Sequence, residues 1–397
     1  MSLHDTTEFA KKAGITLSIS LGVILMLVVF FKIGGVIHSI LFPARLPAPN
    51  ETYGKLPPIA FPKSDINGPF TYSINTVNGS LPQDFPDRLN VYPMIISEPS
   101  LLNLKNAESA ISNIGYTDSQ GNPVPAVPIG GSNYQWKETT PDSNGFENTM
   151  DYNIITENFT TTSNYLTQLS VLQGQYIQNM NAPTDAIPVV QDFVNNLDVF
   201  PSDIDLTLTQ NAPTQNTYNT TPLMYSVTAG QLTPATALAA AQVIRVDLYQ
   251  KEIDYSIPAG QNQDSTQFKD FDMKLPILYP HPPYSTMNFL VASGQGSANV
   301  VQANYNHQTV NLQPSTPQAS QAVYPIKTAQ QAFDDLKSGK GYIASYNGTG
   351  GQILITNVFL AYYIGTAQQN YLIPVVVFQG QNGFFAYVPA VTDDAIQ

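Results

Sequence analysis

Gln352-Ile-Leu-Ile-Thr-Asn-Val-Phe-Leu-Ala-Tyr-Tyr363 is the clearest structural run in the chain. Its β-branched and aromatic residues fill both alternating sets of positions, which predicts a long strand that is apolar on both faces. Tyr371 to Phe378 reads as its partner across the Gly365 region, and Gly380-Gln-Asn-Gly383 as a turn into a third strand, Phe384 to Val391. Just upstream, Ala329, Ala332, Phe333 and Leu336 recur at helical spacing between Thr328 and Gly339. Thr328 and Gln331 have the spacing of a capping box, in which each side chain satisfies the other's backbone N–H. One helix followed by an antiparallel meander is the resulting expectation for the C-terminal segment.

The same grammar extends toward the N-terminus. Ala107, Ala110, Ile111 and Ile114, between Asn106 and Gly115, predict a second helix. Thr184 to Leu197 predicts a third, with Val190, Phe193, Val194 and Leu197 on one face and Pro188 in its first turn. A short helix is expected over Ala235–Ala241. Val243 to Tyr249 reads as a strand with Ile253 to Ile257 as its hairpin partner, and Phe70–Ile74, Asp151–Ile155 and Met287–Ala292 as further strands. Helix then antiparallel strands, used at least twice, predicts an α+β fold of repeated helix-plus-sheet units, with helices on one face of each sheet. The expected division is 66–232 for a first domain and 233–397 for a second. Six prolines in 43–63 predict an extended stalk over 43–65.

Ala13 to Phe31 contains no charged residue. A 19-residue helix rises about 28 Å, enough to cross a bilayer core. Ile15, Leu17, Leu21, Ile24, Leu25, Leu27, Val28, Phe30 and Phe31 would face lipid, and Lys32 would snorkel to the headgroups. The span is longer than a signal-peptide core. The expectation is a 12-residue cytoplasmic tail (1–12), an anchor with its interfacial extension over 13–42, and the remainder outside the cytoplasm of a single-pass membrane protein. Five N-x-S/T sequons, at Asn50, Asn78, Asn158, Asn219 and Asn347, and the scarcity of lysine favour that orientation.

Composition narrows the function classes. The 397 residues carry a net charge of −13, with only 16 Lys and Arg. Nucleic-acid binding needs a concentrated basic surface, and no basic run exists. Without any Cys, disulfides, thiolate metal sites and Cys nucleophiles are excluded. The four His (His4, His38, His281, His307) show no paired metal-ligand spacing. Ser338-Gly-Lys-Gly341 reads as a helix stop, Gly348-Thr-Gly-Gly351 as a hairpin turn, and Asp142-Ser-Asn-Gly145 as a turn. The carboxylate pairs Asp203/Asp205 and Asp334/Asp335 read as solvated. No cofactor, metal or catalytic residue is expected. Among 22 Tyr, Tyr362, Tyr363, Tyr371 and Tyr387 cluster in the final strands as a candidate contact surface.

The segment from Tyr324 through Gly339, Ile353–Tyr363 and Tyr371–Gly380 resembles the YycH/YycI-type extracytoplasmic regulators, with their PepSY-like helix-plus-sheet unit. Val243 to Tyr255 is similar to the hairpin that precedes it there. The resemblance covers roughly 235–395, and more weakly 66–200. It implies an anchored, non-enzymatic module that binds lipid through its helix and another envelope or membrane protein through its sheets, modulating a sensor or complex. A glycosylated structural or adhesive surface protein is the alternative reading, and a glycan-processing enzyme a third.

Overall fold

The computed structural model describes residues 49–66, 68–139, 146–168, 176–204, 206, 218–257, 271–293, 298–312 and 322–397. Two compact units emerge: Pro49–Asp254 with Lys274–Gln397, and Met1–Ala48 with Tyr255–Met273. Of the smaller unit, only parts of strands β10 (Ile253–Ile257) and β11 (Phe271–Leu275) are described; these two form a two-stranded sheet.

The larger unit holds two sheets. The first has nine strands, each antiparallel to its neighbours. In spatial order they are β3 (Val127–Gly130), β4 (Asn133–Lys137), β5 (Asn148–Asn153), β6 (Phe159–Ser163), β14 (Asn299–Tyr305), β13 (Met287–Ala292), β9 (Val243–Leu248), β7 (Tyr218–Ser226) and β8 (Gln231–Pro234). The second is built on β17 (Gln352–Tyr363), which runs antiparallel to β18 (Tyr371–Gly380). Beyond β18 lie β19 (Phe384–Pro389) and β16 (Tyr342–Ser345). On the other side, β1 (Thr71–Ile74) and β12 (Ile277–Leu278) pair in parallel with opposite ends of β17. β2 (Arg88–Pro93) joins the start of β18 to β15 (Ala322–Pro325).

Period-2 alternation decides which face of the nine-stranded sheet is buried. Tyr134, Tyr152, Phe159, Tyr305, Met287, Leu248 and Tyr218 stand directly opposite one another across seven strands. This aromatic row and the next, which includes Trp136, Met150, Phe289 and Val246, lie on the face that helix α2 (Ala186–Asn196) covers over β9, β13 and β14. Phe193 of that helix lies 6.1 Å from Phe159 and 6.4 Å from Phe289, ring centre to ring centre. Helix α1 (Asn103–Asn113) packs on α2.

Helix α3 (Ala329–Lys337) covers the second sheet through Phe333, 5.9 Å from Phe378. Its capping box is formed as expected: Gln331 N donates to Thr328 Oγ1 (3.2 Å), and Thr328 N donates to Gln331 Oε1 (2.9 Å). Lys327 bridges Asp335 of α3 (2.8 Å) and Asp393 near the C-terminus (2.6 Å). Replacing Thr328 by Ala removes the cap and lowers unfolding free energy by about 1 kcal/mol in a urea titration. An unchanged midpoint would mean that packing alone sets the start of α3.

Several expectations need correction. The fold is not a set of α+β repeats: the described residues are 39% strand and 15% helix. The helix signals were real, but α1 starts at Asn103 rather than at a capping Asn106, and 235–241 holds only a 3-10 turn, Leu238–Ala240. The strands that dominate are short and polar on one face, so an apolar-run reading passes over most of them. β9 pairs with β7 and β13, not with β10. β6, from the first expected domain, pairs with β14, from the second.

Part of the expected stalk belongs to the core. Leu56 is fully buried and bridges to Ile396, while Ile59 and Phe61 pack on the second sheet. The apolar residues between its prolines drive that docking.

The expected single-pass localisation, with its membrane and PepSY-like description, is likewise corrected. Among the described residues no helix is long and apolar enough to cross a membrane. Helices of 9–11 residues rise about 14–17 Å, short of a hydrocarbon core of about 30 Å. The residues expected to form the anchor, Ile15 through Lys32, lie outside the described residues.

Candidate functional site

The residues that alternate with the aromatic row point to the other face of the nine-stranded sheet. Gln135, Asp151, Thr160, Asn304, Asn288, Asp247 and Asn219 stand opposite one another on β4, β5, β6, β14, β13, β9 and β7. Every member is polar. A second polar line follows, with Asn133 opposite Asn153 on β4 and β5 and with Asn158 and Asn306 just beyond the ends of β6 and β14.

From these two lines Asp151, Thr160, Asn304, Asn288, Asn133, Asn153, Asn158 and Asn306 floor an open groove of about 890 Å³ that crosses the strands from Ile129 on β3 to Arg245 on β9. Amide pairs organise it. Asn153 donates to Asn133 (2.9 Å), Gln135 to Asp151 (2.8 Å), Asn304 to Asn288 (3.2 Å) and Asn158 to Asn306 (3.3 Å). Asn288 donates on to the Ser285 carbonyl (3.0 Å), and Asn306 to that of Thr366 (2.7 Å). A primary amide has two donor hydrogens and an oxygen with two lone pairs. Pairing therefore orients each amide while leaving it capacity toward the groove.

One end of the groove holds a fixed cation. Arg245 Nε and Nη2 donate to Asp247 Oδ2 (2.7 Å) and Oδ1 (2.9 Å). The Asp247 side chain is 1% exposed and also accepts from the Ser285 backbone N–H (3.0 Å). Burial lowers the Arg245 pKa, but the hydrogen bonds and charge of Asp247 outweigh it and hold the guanidinium above its ordinary value. The guanidinium carbon sits 4.2 Å above the centre of the exposed Tyr284 ring, a cation–π geometry. The fork bonds leave the Nη1 hydrogens directed away from Asp247.

The tyrosines expected as a contact surface are placed elsewhere. Tyr362, Tyr363 and Tyr387 are fully buried, and Tyr371 is half-buried, stacked on Tyr53 at 4.8 Å. They fill the second sheet's packed faces, because β17 and β18 are covered on both sides. Two tyrosines there position the groove wall: Tyr387 donates to the Tyr279 carbonyl (3.0 Å) and Tyr342 to that of Pro280 (3.0 Å). Tyr279 in turn accepts from Gln250 N (3.1 Å). His281 is exposed at the rim.

A second polar node lies beside the floor. His307 Nε2 is 3.0 and 3.1 Å from the two Asp203 oxygens, and Gln250 donates to Asp203 (2.7 Å) and to the Gln308 carbonyl (3.0 Å). Gln308 donates to the carbonyls of Gly365 (2.9 Å) and Ala367 (3.0 Å), tying both sheets together. Burial raises the Asp203 pKa, but the His307 and Gln250 contacts overcome it and leave the carboxyl below its ordinary value. The unfolded chain therefore takes up this proton first as pH falls. The stability contribution is complete above the ordinary carboxylate range, near pH 4, and is lost as pH falls through the folded value. Asp203→Asn removes that dependence, so urea midpoints at pH 7 and pH 3 differ less in the variant than in the parent. An equal difference would show that other carboxyls set the acid limb.

Asp205 and Asp142–Gly145 lie outside the described residues. Asp334 and Asp335 are tied up by Lys337 (2.7 Å) and Lys327. Gly348–Gly351 links β16 to β17, which are not neighbours, so it is no hairpin turn. Among the described residues no cluster of His, Asp and Glu could hold a metal ion. Sequence reasoning missed the groove; its signal was the alternation of Asn or Thr with aromatic residues in 133–137, 148–153, 159–163 and 299–305.

No family model matches the chain, and no curated protein does. Among solved structures it is similar to an uncharacterised protein from Eubacterium rectale, at 11% identity over 77% of this chain and 85% of that one, with a TM-score of 0.31, too low to bear on fold or function.

Proposed function

We propose that this protein is a non-catalytic binding module that holds its partner in the groove across the nine-stranded sheet. The observation that carries this reading is the row of polar side chains on the face opposite the aromatic row, of which Asp151, Thr160, Asn304 and Asn288, on four neighbouring strands, line the groove. A sheet face covered by its own chain would bury apolar groups. This one keeps oriented amides and hydroxyls at the bottom of an open cleft, where they recognise a polar partner. The two carboxylates of the row are already committed, Asp151 to Gln135 and Asp247 to Arg245, which suits recognition better than proton transfer.

The absence of Cys allows a direct test. A photocrosslinker attached through Thr160→Cys, an exposed floor position, is compared with one attached through Lys105→Cys on α1. Adducts formed in the native cell extract only from the floor position support the reading. Identical adducts from both positions, or none, overturn it.

The alternative of a glycosylated surface protein meets an obstacle at one sequon. Asn158 donates to Asn306 and accepts from His307 N (3.0 Å), so both polar atoms of its side chain are engaged and a sugar would take one of the two amide hydrogens available for the Asn306 contact.

A further inference from the structure

We infer that the ligand of this groove is a neutral oligosaccharide, lying across the strands along the amide row; the inference rests on the binding reading above. Three features point to this class. The first is spacing. The groove crosses seven neighbouring strands, from Ile129 on β3 to Arg245 on β9. At about 4.8 Å per strand pair its floor extends roughly 29 Å. Successive contacts along the row therefore recur at the strand spacing, comparable with the length of one pyranose ring. An extended peptide presents same-face groups only about every 6.8 Å, and would leave register within two strands.

The second feature is chemistry. A sugar hydroxyl is both donor and acceptor, and so is each primary amide. Asn304 spends one amide hydrogen on Asn288, and Thr160 stands exposed between β5 and β14. Donor and acceptor capacity is thus offered on the three neighbouring strands β6, β14 and β13, through Thr160, Asn304 and Asn288, without a fixed sense, as a polyol requires. The third is charge. Arg245 is matched by Asp247, so the floor presents no net cationic field to select an acidic ligand. Tyr284, 46% exposed beside it, has one ring face under Arg245, and its other face can support the apolar side of a sugar ring.

The test uses the full chain, titrated by NMR with β-1,4-linked tetrasaccharides of glucose, N-acetylglucosamine and mannose, and separately with a pool of random octapeptides. The expected result is saturable binding of at least one tetrasaccharide, weakened about tenfold by Asn288→Ala/Asn304→Ala, the loss of one or two ordinary hydrogen bonds. The milder Tyr284→Leu variant should weaken it as well, and both variants must retain the parental melting temperature. Should the double variant be unstable, Thr160→Val supplies the same comparison at an exposed position. Overturning results are no saturable sugar binding, or sugar binding unaffected by all these substitutions. If the peptide pool alone binds and depends on Asn304, the saccharide assignment fails while the binding module stands. If no probe binds and the Thr160 crosslinker captures nothing, both fall together.

Discussion

Replacing Phe289 by Ala lowers the free energy of unfolding by about 3–5 kcal/mol, the range for losing a large buried aromatic side chain. Phe289 is completely buried at the middle of the nine-stranded sheet. It meets Phe193 of α2 edge-on at 6.4 Å and Tyr305 of the neighbouring strand at 6.5 Å. Truncation opens a cavity where the sheet, α2 and the aromatic row converge, and neighbours held by hydrogen-bonded strands close it only partly. The urea midpoint should fall with the slope unchanged. Phe289→Leu, which retains most of the volume, should cost less than half as much. A loss below 1 kcal/mol for the Ala variant would show that α2 does not seal this face.

Asp247→Ala should have an effect of similar size, about 3 kcal/mol, for a different reason. The carboxylate is 1% exposed and its partner Arg245 is 22% exposed. Removing it leaves a partly buried guanidinium and the Ser285 N–H without their acceptor, and breaking such a pair costs more than the pair contributes over two apolar residues. Arg245→Met/Asp247→Ala should therefore recover a substantial part of the loss. A double-mutant cycle on urea midpoints measures the coupling; a coupling near zero would remove the fork from the account of the groove's geometry. Because Arg245 also stacks on Tyr284, the single variant should loosen the 279–285 wall, visible as faster amide exchange there than in Phe289→Ala.

Legibility in the sequence varied by element. The C-terminal meander and α3 could be read because their signals are local: a capping box, helical spacing, a Gly-flanked turn and long apolar strands. Within 133–163 the same approach caught only the end of β5, as Asp151–Ile155, and it missed 299–305. There the strands are short, and half their side chains are Asn, Thr or Gln, which a hydrophobicity pattern assigns to loops. It also misassigned the tyrosines. Their abundance near the C-terminus suggested an exposed face, but a strand apolar on both sides is covered on both sides, and Tyr362, Tyr363 and Tyr387 went inside.

By itself, the sequence determined the local vocabulary of the C-terminal segment: the capped helix α3, the turn at Gly380–Gly383 and the long strands around it. Only the tertiary structure decided that Asp151, Thr160, Asn304, Asn288 and Asp247 share one row, because strands separated by more than a hundred residues had to pair first. Side-chain alternation is a property of a single strand. Register between distant strands is set by the sum of their packed contacts, and no single segment contains it.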